Sequence, residues 1–251
     1  MNTESGEIRL SQMQAIRYIG SYLAKREWIG ALITLIFALY IAGFMSLSID
    51  DLLSEEEVPV LLYGMTDWIY VTMFPCFGML MNRTVFAMWK DDFYTKRLAH
   101  FRTMPIPLTA ILQVRVLQTV IMLPILGALF LLLQYLLAPA LRDTVTIGQW
   151  AAAGIMWICF SYVVNAFYMY IELGFNGKRY AQMHFIVMLG LAIVVAVLTW
   201  QKVYLFIDVL QAAKSEAVAV WITFFILIAV AAMWISYLLT LRRLRTRSMT
   251  F

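Results

Sequence analysis

Six continuous apolar runs, each long enough to cross a bilayer, limit what this chain can fold into. They cover approximately Trp28–Leu47, Val60–Met81, Thr109–Leu137, Gln149–Ile171, His184–Phe206 and Ala217–Leu241, where about 20 apolar residues suffice to cross the hydrocarbon. A segment in lipid must satisfy its backbone internally, which favours helices. The runs lack the inside–outside alternation of a transmembrane barrel. Charged residues make up 14% of the chain and hydrophobic ones 63%, against roughly 25% charged in soluble domains. The expected fold is an all-α integral membrane protein, with residues 1–251 forming one transmembrane domain. The first 26 residues are polar and charged before any apolar run begins, the wrong order for a cleavable signal peptide.

Basic residues orient the spans. Arg9, Arg17, Lys25 and Arg26 precede the first span, and Arg83, Lys90, Lys96, Arg97, Arg102 and Arg115 lie between the second and third. Lys178 and Arg179 lie between the fourth and fifth, and Arg242, Arg243, Arg245 and Arg247 follow the sixth. Only Arg142, Lys202 and Lys214, of 19 Lys and Arg, fall on the other side. The positive-inside rule therefore predicts a multi-pass plasma-membrane protein with both termini cytoplasmic. The acidic run Asp50, Asp51, Glu55, Glu56 and Glu57 would lie outside.

Two segments outside the spans are patterned. Over residues 7–26, Leu10, Met13, Ile16, Ile19 and Leu23 recur at three and four, predicting an amphipathic helix in the cytoplasmic headgroup layer. Trp28 would mark its turn into the first span. Over residues 91–104, Tyr94, Leu98, Phe101 and Met104 give a short helix one apolar side, and Lys96, Arg97, His100 and Arg102 make it basic. Pro105 and Pro107 end it. An oily face directed away from its own bundle would need a partner to dock against. The third span exceeds what a bilayer requires, so its first turns around Arg115 should protrude or line a wet vestibule. Pro75 and Pro124 are expected kink sites.

Candidate chemistry is sparse. Gly174-Phe175-Asn176-Gly177-Lys178-Arg179 has two residues between its glycines and Arg after Lys, where a phosphate loop needs four and then Ser or Thr. His100 and His184 form no HExxH pair, and Ser46 and Ser48 lack a base. Cys76 and Cys159 sit within apolar runs and read as packing residues. No catalytic, cofactor-binding or metal-binding residue is identified, and nothing indicates nucleic acid. Among polar residues in the spans, Asp67 reads either as facing a water-filled path or as hydrated near the outer interface. Glu172 and Lys202 read as interfacial, and Asn165 and Gln118 as interhelical hydrogen bonders. Phe74, Phe77 and Met79 offer an adaptable apolar surface, or ordinary packing.

The sequence Lys96-Arg97-Leu98, then Phe101-Arg102-Thr103-Met104-Pro105-Ile106-Pro107, followed by a long span carrying Arg115, resembles the ABC-2 type permease family. The topology is similar over essentially the whole chain. Length and Met- and aromatic-rich spans are similar to the permeases of phenol-soluble modulin exporters of Gram-positive bacteria. The resemblance implies a permease without its own ATPase site, paired with separate ABC ATPase subunits that bind ATP and Mg, in a complex of two permeases and two ATPases. Residues 91–104 would then be the coupling helix, with Tyr94, Lys96, Arg97, Leu98, Phe101, Arg102, Met104 and Pro105 as coupling residues. Asp67, Phe74, Phe77, Met79 and Arg115 would line the path of an amphipathic peptide. Export of a lipid, antibiotic or other hydrophobic drug stays open, as does a non-transporting membrane scaffold or immunity role.

Overall fold

The computed structural model describes residues 11–54, 57–79, 93–104 and 106–246, with only the backbone at 93, 94, 97 and 102. The described residues are helical in nine segments: α1 (Gln12–Ser54), α2 (Val60–Cys76), α3 (Phe93–Thr103), α4 (Leu108–Leu137), α5 (Pro139–Thr144), α6 (Ile147–Gly174), α7 (Gly177–Trp200), α8 (Leu205–Lys214) and α9 (Val218–Thr246). Five of them (α1, α4, α6, α7 and α9) are long and apolar enough to cross a membrane. This is a helical, multi-pass membrane protein.

Three expectations are corrected. The separate arm and first span are one helix, because nothing between Lys25 and Gly30 breaks it. Gln12–Ser54 contains no proline, and a helix once formed propagates through ordinary residues. Its 43 residues correspond to about 64 Å. The second span, expected to reach Met81, which lies outside the described residues, is helical to Cys76. After it the backbone tightens into three-residue turns, Phe77 N to Phe74 O, Gly78 N to Pro75 O and Met79 N to Cys76 O. At 17 residues it extends about 26 Å, short of the roughly 30 Å hydrocarbon thickness. The fifth run begins earlier, at Gly177, where the Asn176 side chain accepts from Arg179 N at 3.0 Å. It stops at Trp200, and Lys202 adopts a left-handed conformation with φ 61°. The expected Pro124 lies inside α4, which continues through it.

One stripe of α1 faces inward: Gly30, Thr34, Ala38, Ala42 and Ser46 continue the line of Ala15, Ile19, Leu23 and Glu27. Small side chains let the α4 backbone approach closely. Thr34 and Ser46 return their hydroxyl hydrogens to Gly30 O and Ala42 O at 2.7 Å each, which lets a hydroxyl sit on an inward apolar stripe. The most extensive pairing joins α6 and α9, along Ala229, Ser236, Thr240 and Leu244 of α9. Ser236 there donates to Ala166 O.

The central core is aromatic. Tyr70, Phe74 and Phe77 meet Phe130 at ring separations of 5.9, 5.5 and 5.2 Å. Trp157 and Phe206 close on Tyr70 at 4.8 and 5.0 Å. Two polar bonds fix the packing: Tyr70 OH donates to Gln134 Oε1 at 2.6 Å, and Trp150 Nε1 donates to Leu131 O at 3.0 Å. Outward faces are apolar, with Leu47, Phe185 and Val220 each at least two-thirds exposed. Such a surface suits lipid rather than water.

A second cluster closes one end. Ala15 and Ile19 of α1, Leu98 and Phe101 of α3, Ile106, Ala110, Ile111 and Val114 at the start of α4, and Leu244 of α9 form it. The beginning of α1 and the end of α9 therefore meet there, together with α3. At the opposite end, Asp50 Oδ1 accepts from Ala140 N at 2.8 Å, placing a carboxylate at the start of α5, where orphan backbone donors favour negative charge.

Candidate functional site

The sequence of α3 supplies a helix with an apolar side, and the fold covers that side. Leu98 and Phe101 are each 3% exposed, and the Phe101 ring stands edge-on to Tyr22 of α1 at 6.3 Å. Thr95 is buried and Met104 half-buried. The expectation of an oily face directed away from the bundle is thus corrected: the chain's own α1 occupies it. Lys96 and His100 are exposed and present a polar side instead. The side chains of Tyr94, Arg97 and Arg102, and Pro105, lie outside the described residues, as do residues 7–10 of the arm and 91–92 of the coupling segment.

Two turns into α4, Arg115 occupies the junction of four chain segments. Its Nε and Nη2 both lie 2.9 Å from Glu172 Oε2 of α6. Nη1 donates to Thr119 Oγ1 at 3.3 Å, and to Gln118 Oε1 and Gly78 O at 3.4 Å each. Gln118 Nε2 in turn donates to Glu27 Oε2 of α1 at 3.2 Å. The two ion-paired side chains are each 11% exposed. Arg115 is therefore packed among protein groups rather than presented to an open vestibule, and Glu172, near the end of α6, is its ion-pair partner. Desolvated charges persist only when paired and hydrogen-bonded, and here one guanidinium meets a carboxylate, two side chains of its own helix and the carbonyl beyond α2.

Asp67 meets neither of its two expected descriptions. It is 1% exposed, and its two oxygens accept from Leu205 N at 2.8 Å and Phe206 N at 2.7 Å. A carboxylate on α2 thus supplies the cap that α8 lacks in its own sequence, Tyr204 at its N-cap making no side-chain bond. Phe74 and Phe77, expected on a substrate path, are 1% and 0% exposed and belong to the aromatic core. Met79 is half-buried, its Sδ accepting from Tyr180 OH at 3.3 Å. Of the five path residues, none presents an open surface of the kind a passing peptide needs.

The interhelical roles read for Asn165 and Gln118 hold. Asn165 Nδ2 donates to Pro75 O at 2.8 Å and to Ser161 O at 2.9 Å, which ties the end of α2 to α6. Sequence reading missed Glu27, and placed Asp50 in an outer acidic run without seeing its bond to Ala140 N. Glu27 lies on the buried stripe of α1, four residues after Leu23, and Asp50 is half-buried at its edge, four residues after Ser46, a signal that the spacing carried. Among the described residues, no group of three or more His, Cys, Asp or Glu could hold a metal ion. Comparison with known proteins gives no match: no family model, no curated protein and no solved structure aligns with the chain.

Proposed function

We propose that the chain is the membrane-embedded permease subunit of an ATP-driven ABC exporter, of the ABC-2 type, working with a separate ATPase subunit. The observation that carries this reading is the seat of α3. It lies across the first turns of α1, against the start of α4, and only Met104 to Pro107 separates it from the helix bearing Arg115. A push on α3 would reach four chain segments through one guanidinium. In this reading the partner meets the exposed Lys96 and His100, with Arg97 and Arg102 adding charge to the same helix, since Leu98 and Phe101 are engaged internally.

The reading places both termini in the cytoplasm of the cell, with α2 as a short second crossing. Two permease copies would flank the path, and an amphipathic peptide is the proposed cargo. The exposed stripe Leu61, Met65 and Trp68 of α2 replaces Phe74 and Phe77 as the apolar surface offered to it. The test is reconstitution with the ATPase and an amphipathic helical peptide. Arg97→Glu with Arg102→Glu is expected to abolish peptide-stimulated ATP hydrolysis while the chain stays in the membrane. Unchanged stimulation in that variant would sink the docking assignment, and an ATPase unaffected by the peptide but stimulated by a lipid or drug would replace the cargo.

A further inference from the structure

The turn joining α6 to α7 gathers positive charge, and among the described residues no carboxylate pairs with it. Lys178 and Arg179 occupy the first turn of α7 and are exposed, although the N-terminal end of a helix carries positive partial charge and disfavours cations. Arg243, from the last turn of α9, reaches the same turn: its Nε donates to Gly174 O at 3.4 Å, and its guanidinium lies 5.3 Å from the Phe175 ring centre. The contact is close enough that a Cβ on Gly174 would meet Arg243 Cγ at 3.3 Å. Among the described residues, the Lys178 and Arg179 side chains make no hydrogen bond or ion pair. Glu172, two residues before the turn, is engaged by Arg115. Two exposed cations at the positive pole of α7 thus lie next in sequence to the turn that Arg243 closes against the end of α6.

We propose that this turn binds the headgroup of an anionic phospholipid. The charge arrangement calls for an anion, and the surroundings select a lipid over a soluble one. The helices α6, α7 and α9 are all long and apolar enough to cross a membrane, so the turn stands at a membrane edge. About 10 Å further along α7 from Lys178, Phe185 and Ile186 are 68% and 61% exposed, which gives acyl chains an apolar wall beneath the phosphate. The site is independent of the transporter reading.

The experiment measures lipid binding to the whole chain in uncharged detergent by native mass spectrometry. Phosphatidylglycerol is compared with phosphatidylcholine of the same acyl chains, and inorganic phosphate serves as competitor. Lys178→Gln with Arg179→Gln is expected to weaken phosphatidylglycerol binding about tenfold and leave phosphatidylcholine unchanged. The charge-matched pair Arg17→Gln with Lys25→Gln, on exposed positions of α1, is expected to stay within about twofold of the parent. Exchanging the two bases, Lys178→Arg with Arg179→Lys, keeps the charge and should preserve binding, which separates loss of the site from loss of the fold. Equal losses in the two charge-matched variants would overturn the site, as would equal affinity for both lipids. Displacement of the lipid by millimolar inorganic phosphate would reassign it to a soluble anion.

Discussion

Asp67 on α2 holds the first two backbone donors of α8 in a two-pronged grip, Oδ2 on Leu205 N and Oδ1 on Phe206 N, at 2.8 and 2.7 Å. Asp67 lies far in sequence from Leu205 and Phe206, and the pairing joins the middle of α2 to the segment that follows α7. The stacked rings of Tyr63 and Tyr204, 4.1 Å apart, reinforce it. Asp67→Ala should therefore cost roughly 1–3 kcal/mol, the range for losing a cap and leaving buried donors unmet. Asp67→Asn keeps one acceptor and should cost less. Thermal unfolding in detergent checks both, and an alanine variant as stable as the parent would remove the cap from the account.

The Arg115–Glu172 pair makes a different prediction, because a lone buried charge is worse than none. Arg115→Leu should destabilise the chain by about 3–5 kcal/mol, by leaving Glu172 without its guanidinium. Arg115→Leu combined with Glu172→Leu should recover much of that loss. A double-mutant cycle read by thermal denaturation measures the coupling, and strictly additive losses would mean the two side chains do not stabilise one another.

Gly78 sits where only hydrogen fits. A Cβ there would come 2.5 Å from Asn165 Oδ1 and 2.7 Å from its Nδ2, and that amide is fixed by its bonds to Pro75 O and Ser161 O. Gly78→Ala is expected to lower stability by roughly 1–3 kcal/mol, the cost of overpacking. Adding Asn165→Ala should relieve part of it by emptying the space. If Gly78→Ala is neutral alone, the end of α2 is not held against α6 as described.

Lys202 is the described non-glycine residue with positive φ, 61°. It follows the last turn of α7, where Val203 N returns to Leu198 O at 2.9 Å and Lys202 N to Thr199 O at 3.0 Å. That is the helix-ending pattern in which glycine is preferred. Lys202→Gly should raise stability by about 0.5–1 kcal/mol, visible as a higher melting temperature. A decrease would show that the lysine side chain contributes more than its backbone strain removes.

The sequence made the membrane class legible because bilayer thickness sets a length that apolar runs must meet, and Thr109–Leu137 and Gln149–Ile171 lie within a few residues of α4 and α6. Where it misled, the cause was packing between distant segments. The apolar spacing of Leu98 and Phe101 was readable, but spacing alone does not say whether α1 or another chain covers it. Trp28 looked like an interfacial turn, yet no breaker accompanies it and α1 runs on. Asp67 looked like a cost to be met by water and Glu172 like a residue of the interface, whereas backbone donors and Arg115 meet them from positions more than 50 residues away. The turn at Gly174–Arg179 was read as a failed phosphate loop, and only the approach of Arg243 gives it a shape of its own.

The unbroken course of α1 has a mechanical consequence. A continuous helix transmits angle as well as length, so movement at one end is felt at the other. Ile19 lies in the cluster beneath α3, and Asp50, about 47 Å further along, holds the first turn of α5 through Ala140. Tilting the rod by about 5° around Ile19 would swing Asp50 by about 4 Å over that span, more than the 2.8 Å length of the bond it makes there. Whatever rocks α3 at one end therefore has, in α1, a lever long enough to pull on the cap of a short helix at the other.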